Sequence, residues 1–178
     1  ASGFECGVLM CDSPNQFKKY EPFYTNFKRA SKLDNNFLNL LCEMNFKNFY
    51  LNFYKKVYKK NNLKFFDKTP IYMKELGACL NKATFINKAI VIYRDPRELY
   101  WSYYKREVLL NPSLDKDKFI NNFVKRYLEY FLGSIANLYN KKILFISYEK
   151  LCLETKTELS KIEKFLNIKK IKSSNLNI

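Results

Sequence analysis

Histidine is absent from this chain, glycine occurs four times and proline five, and acidic residues number 17 against 32 basic ones. The missing histidine removes the commonest metal ligand. The five cysteines, Cys6, Cys11, Cys42, Cys79 and Cys152, form no C-x-x-C pair, so no metal is assigned. Odd in number and scattered, they read as small core residues held as thiols in a reducing compartment. Also lacking is an apolar run of the roughly 18 residues that a membrane-spanning helix needs, and no basic segment at the start leads into an apolar one. Neither a membrane span nor a signal peptide is therefore expected, and the expected location is cytoplasmic. The chain opens Ala1-Ser2-Gly3 without methionine, which leads to the expectation that the natural N-terminus lies upstream.

The shortage of acid leaves a net charge of +15. Such an excess asks for an anionic partner: nucleotide phosphates, an acidic or sulfated glycan, nucleic acid or a membrane surface. A second explanation stands beside it, because the charge is mostly lysine accompanied by much asparagine, a bias that an AT-rich genome produces with no polyanion in view. At 178 residues, 47% hydrophobic and 17% aromatic, the chain suits one domain with a substantial core. That single domain is expected over 1–178, with a disordered tail over 168–178.

Residues 1 to 30, with Gly3, Gly7, Pro14 and Pro22, read as irregular, with a short strand or turn around Phe4 to Met10. From Asn36 to Asn61 the residues Phe37, Leu40, Leu41, Met44, Phe49, Phe53 and Val57 recur at helical spacing and predict one amphipathic helix whose stripe is core. Leu63-Lys64-Phe65-Phe66 predicts a brief strand ended by Asp67-Lys68-Thr69-Pro70, and a short helix follows over 71–82. Lys88 to Tyr93 is β-branched and aromatic without polar alternation, as an interior parallel strand would be. Asp95 then fits an N-cap with Pro96 at the first helical position, and Leu99, Trp101, Tyr103 and Tyr104 supply the buried side of a helix to about Leu110. A long helix is predicted over 116–140, a third strand over Lys142–Ser147 ended by Tyr148-Glu149-Lys150-Leu151, and a last helix over 155–166.

Strands alternating with helices imply an α/β fold of three layers, with a parallel central sheet flanked by helices. Ligands of such sheets sit at the carboxyl ends of the strands. The clusters Asp67-Lys68-Thr69, Arg94-Asp95 and Tyr148-Glu149 are therefore expected at one rim, with helix N–H groups behind Arg94 favouring a phosphate there.

Arg94-Asp95-Pro96-Arg97 after a strand, with Ser102 eight residues beyond Arg94 and a Tyr-Tyr pair after it, resembles the motif with which sulfotransferases bind the 3'-phosphate of 3'-phosphoadenosine 5'-phosphosulfate (PAPS). Phe66-Asp67-Lys68-Thr69-Pro70 is similar to the Glu-Lys-Thr-Pro segment of carbohydrate-type members, with Asp in place of Glu. Ile146-Ser147-Tyr148-Glu149-Lys150-Leu151, with the helix ending Ile162-Glu163-Lys164-Phe165-Leu166, is similar to the family's Tyr-Glu-Asp-Leu strand end and its next helix. Together these cover about residues 60 to 167. The resemblance implies a P-loop NTPase-like sheet with PAPS as co-substrate. It places Arg94 and Ser102 on the phosphate, Tyr148 near the adenine, Glu149 as a structural cap and Lys68 near the sulfate or acceptor, with Asp67 orienting Lys68 or binding acceptor.

One part of the family pattern is missing. The glycine-containing loop that holds the 5'-phosphosulfate has no counterpart, since the only glycines are Gly3, Gly7, Gly77 and Gly133. The resemblance then implies that the first strand and its loop precede Ala1 and that this chain alone turns over little. Phe4-Glu5-Cys6 falls where carbohydrate-type members place an acidic catalytic residue. The lack of histidine excludes the cytosolic type of base, which makes Glu5 the candidate base. The implied reaction moves a sulfuryl group from PAPS to a hydroxyl or amine of a small-molecule or glycan acceptor. Two other readings stay open: a nucleotide kinase-like protein with a degenerate site, and a non-enzymatic basic module binding nucleic acid or an anionic glycan. Scattered basic residues and core-spaced aromatics count against nucleic acid.

Overall fold

Gly7 takes a left-handed φ of 79°, and a Cβ added there would lie 2.7 Å from the Phe23 ring. Only glycine lets the chain turn at this point and enter the short 3-10 turn Val8–Met10 beneath that ring. The computed structural model describes residues 5–58 and 66–168. The chain divides into two compact units, one running to Ile86 and the other beginning at Asn87.

The first unit is helical among its described residues. Helices α1 (Pro14–Phe17), α2 (Phe23–Ser31), α3 (Asn35–Cys42) and α4 (Phe46–Tyr58) precede a 3-10 segment, Pro70–Glu75, and helix α5 (Leu76–Lys82). Phe17, Phe27, Leu38, Leu41, Phe49, Tyr50 and Phe53 form the centre of its core. Several of their rings meet edge-on or tilted, Phe17 and Phe27 at 5.5 Å and Phe27 and Phe53 at 4.9 Å, as ring quadrupoles favour. Of the single helix expected over 36–61, residues 59–61 lie outside the described residues, and 36–58 form two helices, because Asn45 Oδ1 accepts the Asn48 N–H at 2.9 Å and starts α4 afresh. Of the stretch expected to be irregular over 1–30, residues 1–4 lie outside the described residues, and much of the rest is helical: Pro14 takes the first position of α1 and Pro22 directly precedes α2. Of the strand expected over 63–66, residues 63–65 lie outside the described residues, and Phe66 belongs to no regular element. Of the tail expected over 168–178, all but Ile168 likewise lies outside them.

In the second unit β1 (Ala89–Tyr93) pairs in parallel with β2 (Ile143–Ser147), in a register running from Ala89 opposite Ile143 to Tyr93 opposite Ser147. Helices α6 (Pro96–Leu110) and α7 (Lys116–Ile135) connect the strands, and α8 (Tyr148–Leu153) and α9 (Thr155–Leu166) follow. The class is the expected α/β with a parallel sheet, smaller than expected at two strands among the described residues. Val91 and Ile146 are buried, yet Ile92 and Tyr93 are half-exposed, because among these residues β1 has a neighbour on one side only. On α6 the expected Tyr103 and Tyr104 are half-buried against Phe123 and Phe119 of α7, and so is Tyr100, which was not among those expected and packs on Phe119 and Phe123 at 5.8 and 5.4 Å. Trp101 stays exposed. Helix α7 stops at Ile135, short of 140, and α8 was not anticipated. Ser147 creates α8 by capping it, its Oγ accepting the Lys150 N–H at 3.3 Å. No helix among the described residues is long and apolar enough to cross a membrane, and no cluster of three metal-ligating side chains occurs among them.

Candidate functional site

Because Tyr93 and Ser147 are register partners, Arg94 and Tyr148 leave neighbouring parallel strands at the same level. The Arg94 guanidinium carbon sits 4.9 Å from the centroid of the Tyr148 ring, in cation–π contact. Glu149 ties the two strand ends together. Its Oε1 accepts the Asp95 N–H at 2.8 Å and its Oε2 accepts the Ser147 hydroxyl at 2.6 Å. Those bonds, the Ser147 one foremost, hold the Glu149 carboxyl below its ordinary range. The structural role expected of Glu149 is thus a bridge between strands.

Asp95 caps α6 as expected, Oδ1 accepting the Arg97 N–H at 2.8 Å. The Arg97 side chain also clasps its carboxylate, which pushes the Asp95 carboxyl down to about 2. Arg94 turns away from this pair and meets Glu98 at 3.6 Å, four residues on. Ser102 is exposed a further turn along α6, on the side that carries Glu98. Arg94 and Tyr148 are therefore brought together, with Ser102 along the same helix edge. Glu98 was missed, although its spacing of four from Arg94 is the ordinary signature of such a pair.

The other two candidates meet in the first unit, where Lys68 Nζ lies 3.1 Å from Glu5 Oε1 across 63 residues of sequence. Both side chains reach solvent. Their backbones are fixed from beneath by Asp67. Its buried carboxylate accepts hydrogen bonds from the hydroxyls of Tyr50 at 2.6 Å, Tyr72 at 3.0 Å and Thr69. Thr69 Oγ1 in turn accepts the Cys6 N–H at 3.0 Å. The residues on either side of Lys68, and the one after Glu5, are thus locked into one polar network. Burial raises the Asp67 carboxyl above its ordinary value, and the hydrogen bonds from Thr69, Tyr50 and Tyr72 offset part of that rise. Tyr50 and Tyr72 were missed. The only signal for them was a hydroxyl-bearing ring where phenylalanine would satisfy an apolar stripe. Of the three strand-end clusters expected at one rim, Arg94-Asp95 and Tyr148-Glu149 adjoin; Asp67-Lys68-Thr69 belongs to the first unit and is described there.

Residues 54–177 match the sulfotransferase domain family, a span that holds Lys68, Arg94, Ser102 and Tyr148. The chain belongs to the sulfotransferase family and with it to the sulfuryl-transferring enzymes. Neither a curated protein nor a solved structure matches it.

Proposed function

We propose that the chain serves transfer of a sulfuryl group from PAPS to a hydroxyl or amine of a carbohydrate or small metabolite. Arg94 and Ser102 take the 3'-phosphate, Tyr148 lies along the adenine, and Glu5 with Lys68 acts on the acceptor. The supporting observation is the contact of Arg94 with Tyr148 at the carboxyl ends of two register-matched parallel strands, where open α/β sheets bind ligands. A guanidinium, a hydroxyl and an aromatic face are also the groups that suit a ribose phosphate joined to a purine.

PAPS, when bound, supplies the sulfuryl group on a bisphosphate leaving group. Sulfuryl transfer, like phosphoryl transfer, asks the protein chiefly for positioning and for neutralising charge. Arg94 contributes a fixed cation, since its stacking on Tyr148 limits the rotamers it can visit. The Glu5 carboxylate takes the acceptor's proton as the acceptor oxygen gains its new bond, and the Lys68 ammonium offsets negative charge on the transferred group. Glu5 stands outside the matched family span, so its role rests on its contact with Lys68 at 3.1 Å.

Calorimetric titration with 3'-phosphoadenosine 5'-phosphate (PAP) tests the reading. Arg94→Ala is expected to abolish binding and Ser102→Ala to weaken it about tenfold, the usual worth of a hydrogen bond to a charged group. Lys118→Ala, on the exposed face of α7, leaves it unchanged. Equal binding by the wild type and Arg94→Ala refutes the assignment.

A further inference from the structure

Helix α7 packs one face on α6, through Phe119 and Phe123 against Tyr100, and leaves a second face exposed. There Ile120, Val124, Leu128 and Leu132 follow one another at a spacing of four, and Phe131 and Ile135 fall three and seven residues after Leu128, so all six share one stripe. Each is between 40% and 60% exposed, where a solvated helix face would be polar. The stripe runs roughly 22 Å along the axis. Its six side chains present on the order of 500 Å² of apolar surface, near the upper end for the largest patch on a monomer, and a contiguous patch of that size marks an interaction site.

We infer that α7 pairs with α7 of a second copy of this chain, antiparallel, in a two-fold dimer. The charges beside the stripe favour that occupant. Lys125 and Glu129 lie exposed along its Leu132 edge. A parallel copy would set like charges together there. A two-fold axis perpendicular to α7 at the stripe's midpoint, between Tyr127 and Leu128, instead keeps the same edge on the same side in both copies. Each Lys125 then comes within about 1.5 Å, measured along the helix axis, of the level of Glu129 of the partner subunit. The apolar positions match as well: Ile120 and Val124 lie level with Ile135 and Phe131 of the partner subunit, and the two Leu128 side chains meet at the axis. Two such patches bury about 1,000 Å² in total, the lower limit for a specific interface, so the dimer is weak and reversible. The charge of +15 on each copy does not forbid it, because at physiological salt a charge is felt over only about 8 Å. A lipid surface suits the face less well, since Asp117, three residues before Ile120, stands on the stripe itself.

Sedimentation velocity of the whole chain at about 0.15 M salt tests this. The wild type should pass from monomer to dimer between about 1 and 300 μM, as a small reversible interface does. Leu128→Glu, which sets two carboxylates together at the two-fold axis, should leave only monomer over that range, with an unchanged far-UV circular dichroism spectrum. Lys125→Glu and Glu129→Lys each turn attraction into repulsion at two places and should weaken the dimer about tenfold or more. Mixed in equal amounts, these two variants should associate as tightly as the wild type, because each supplies the charge the other lacks, whereas a pair formed within one copy gains nothing from mixing. If Leu128→Glu disturbs the helix, the exposed charge variants decide alone. A wild type that stays monomeric throughout, a dimer that a folded Leu128→Glu leaves intact, or charge variants that mixing does not rescue overturns the inference. So does binding of monomer to vesicles of phosphatidylserine and phosphatidylcholine that Leu128→Glu abolishes, which would make the stripe a membrane face.

Discussion

Asp67 is the residue on which the first unit's candidate pair depends, because it satisfies three hydroxyls at once and reaches Cys6 through Thr69. Asp67→Ala removes the carboxylate that the hydroxyls of Tyr50, Tyr72 and Thr69 share, and urea unfolding is expected to show a loss of about 1–3 kcal/mol. Its pH dependence has a definite sign. A carboxyl whose value is higher folded than unfolded binds protons more tightly in the native state. Its stabilising contribution is therefore full below about pH 4 and is lost as the pH rises through the folded-state value. Since Asn cannot titrate, the stability of the wild type relative to Asp67→Asn should be greater in acid than at neutral pH. A margin that grows toward neutrality contradicts the placement of Asp67. At Arg94 the expectation concerns Glu98, whose exposed ion pair at 3.6 Å competes with any incoming phosphate. Such pairs are worth at most about 1 kcal/mol, so Glu98→Gln should tighten PAP binding by up to about fivefold in a calorimetric titration.

Among the elements, α6 owes its start to one side chain. Asp95→Ala removes the cap from the Arg97 N–H and is expected to lower stability by about 0.5–2 kcal/mol, read from thermal unfolding. This junction was legible from sequence because its signals are local: a β-branched run, then Asp, then Pro. Helix α9 was legible for the same reason. What stayed hidden depends on partners distant in sequence or on single caps. Asn45 interrupts a stripe that otherwise reads as continuous, and Ser147 starts α8 where the pattern shows only a strand ending. Helices α1 and α2 were obscured because Pro14 and Pro22 resemble breaks until they are seen to begin helices. In the candidate site, Lys68 and Glu5 were each legible by motif or position. The network under them was not, since Tyr50, Asp67, Thr69 and Cys6 announce no pairing before the chain folds.

At the scale of the whole chain, a charge of +15 attracts any anion, and that attraction must be told apart from a built site. Retention on a sulfated column, a property of the summed charge, should weaken with salt in the wild type and Arg94→Ala alike. Specific recognition should instead follow the 3'-phosphate proposed for Arg94, beside Tyr148. The most direct measurement is therefore the ratio of affinities for PAP and for adenosine 5'-phosphate, which differ only in the 3'-phosphate. The wild type should prefer PAP by about tenfold or more and Arg94→Ala should bind the two alike; a wild type that fails to distinguish them, or an Arg94→Ala variant that still does, contradicts the account.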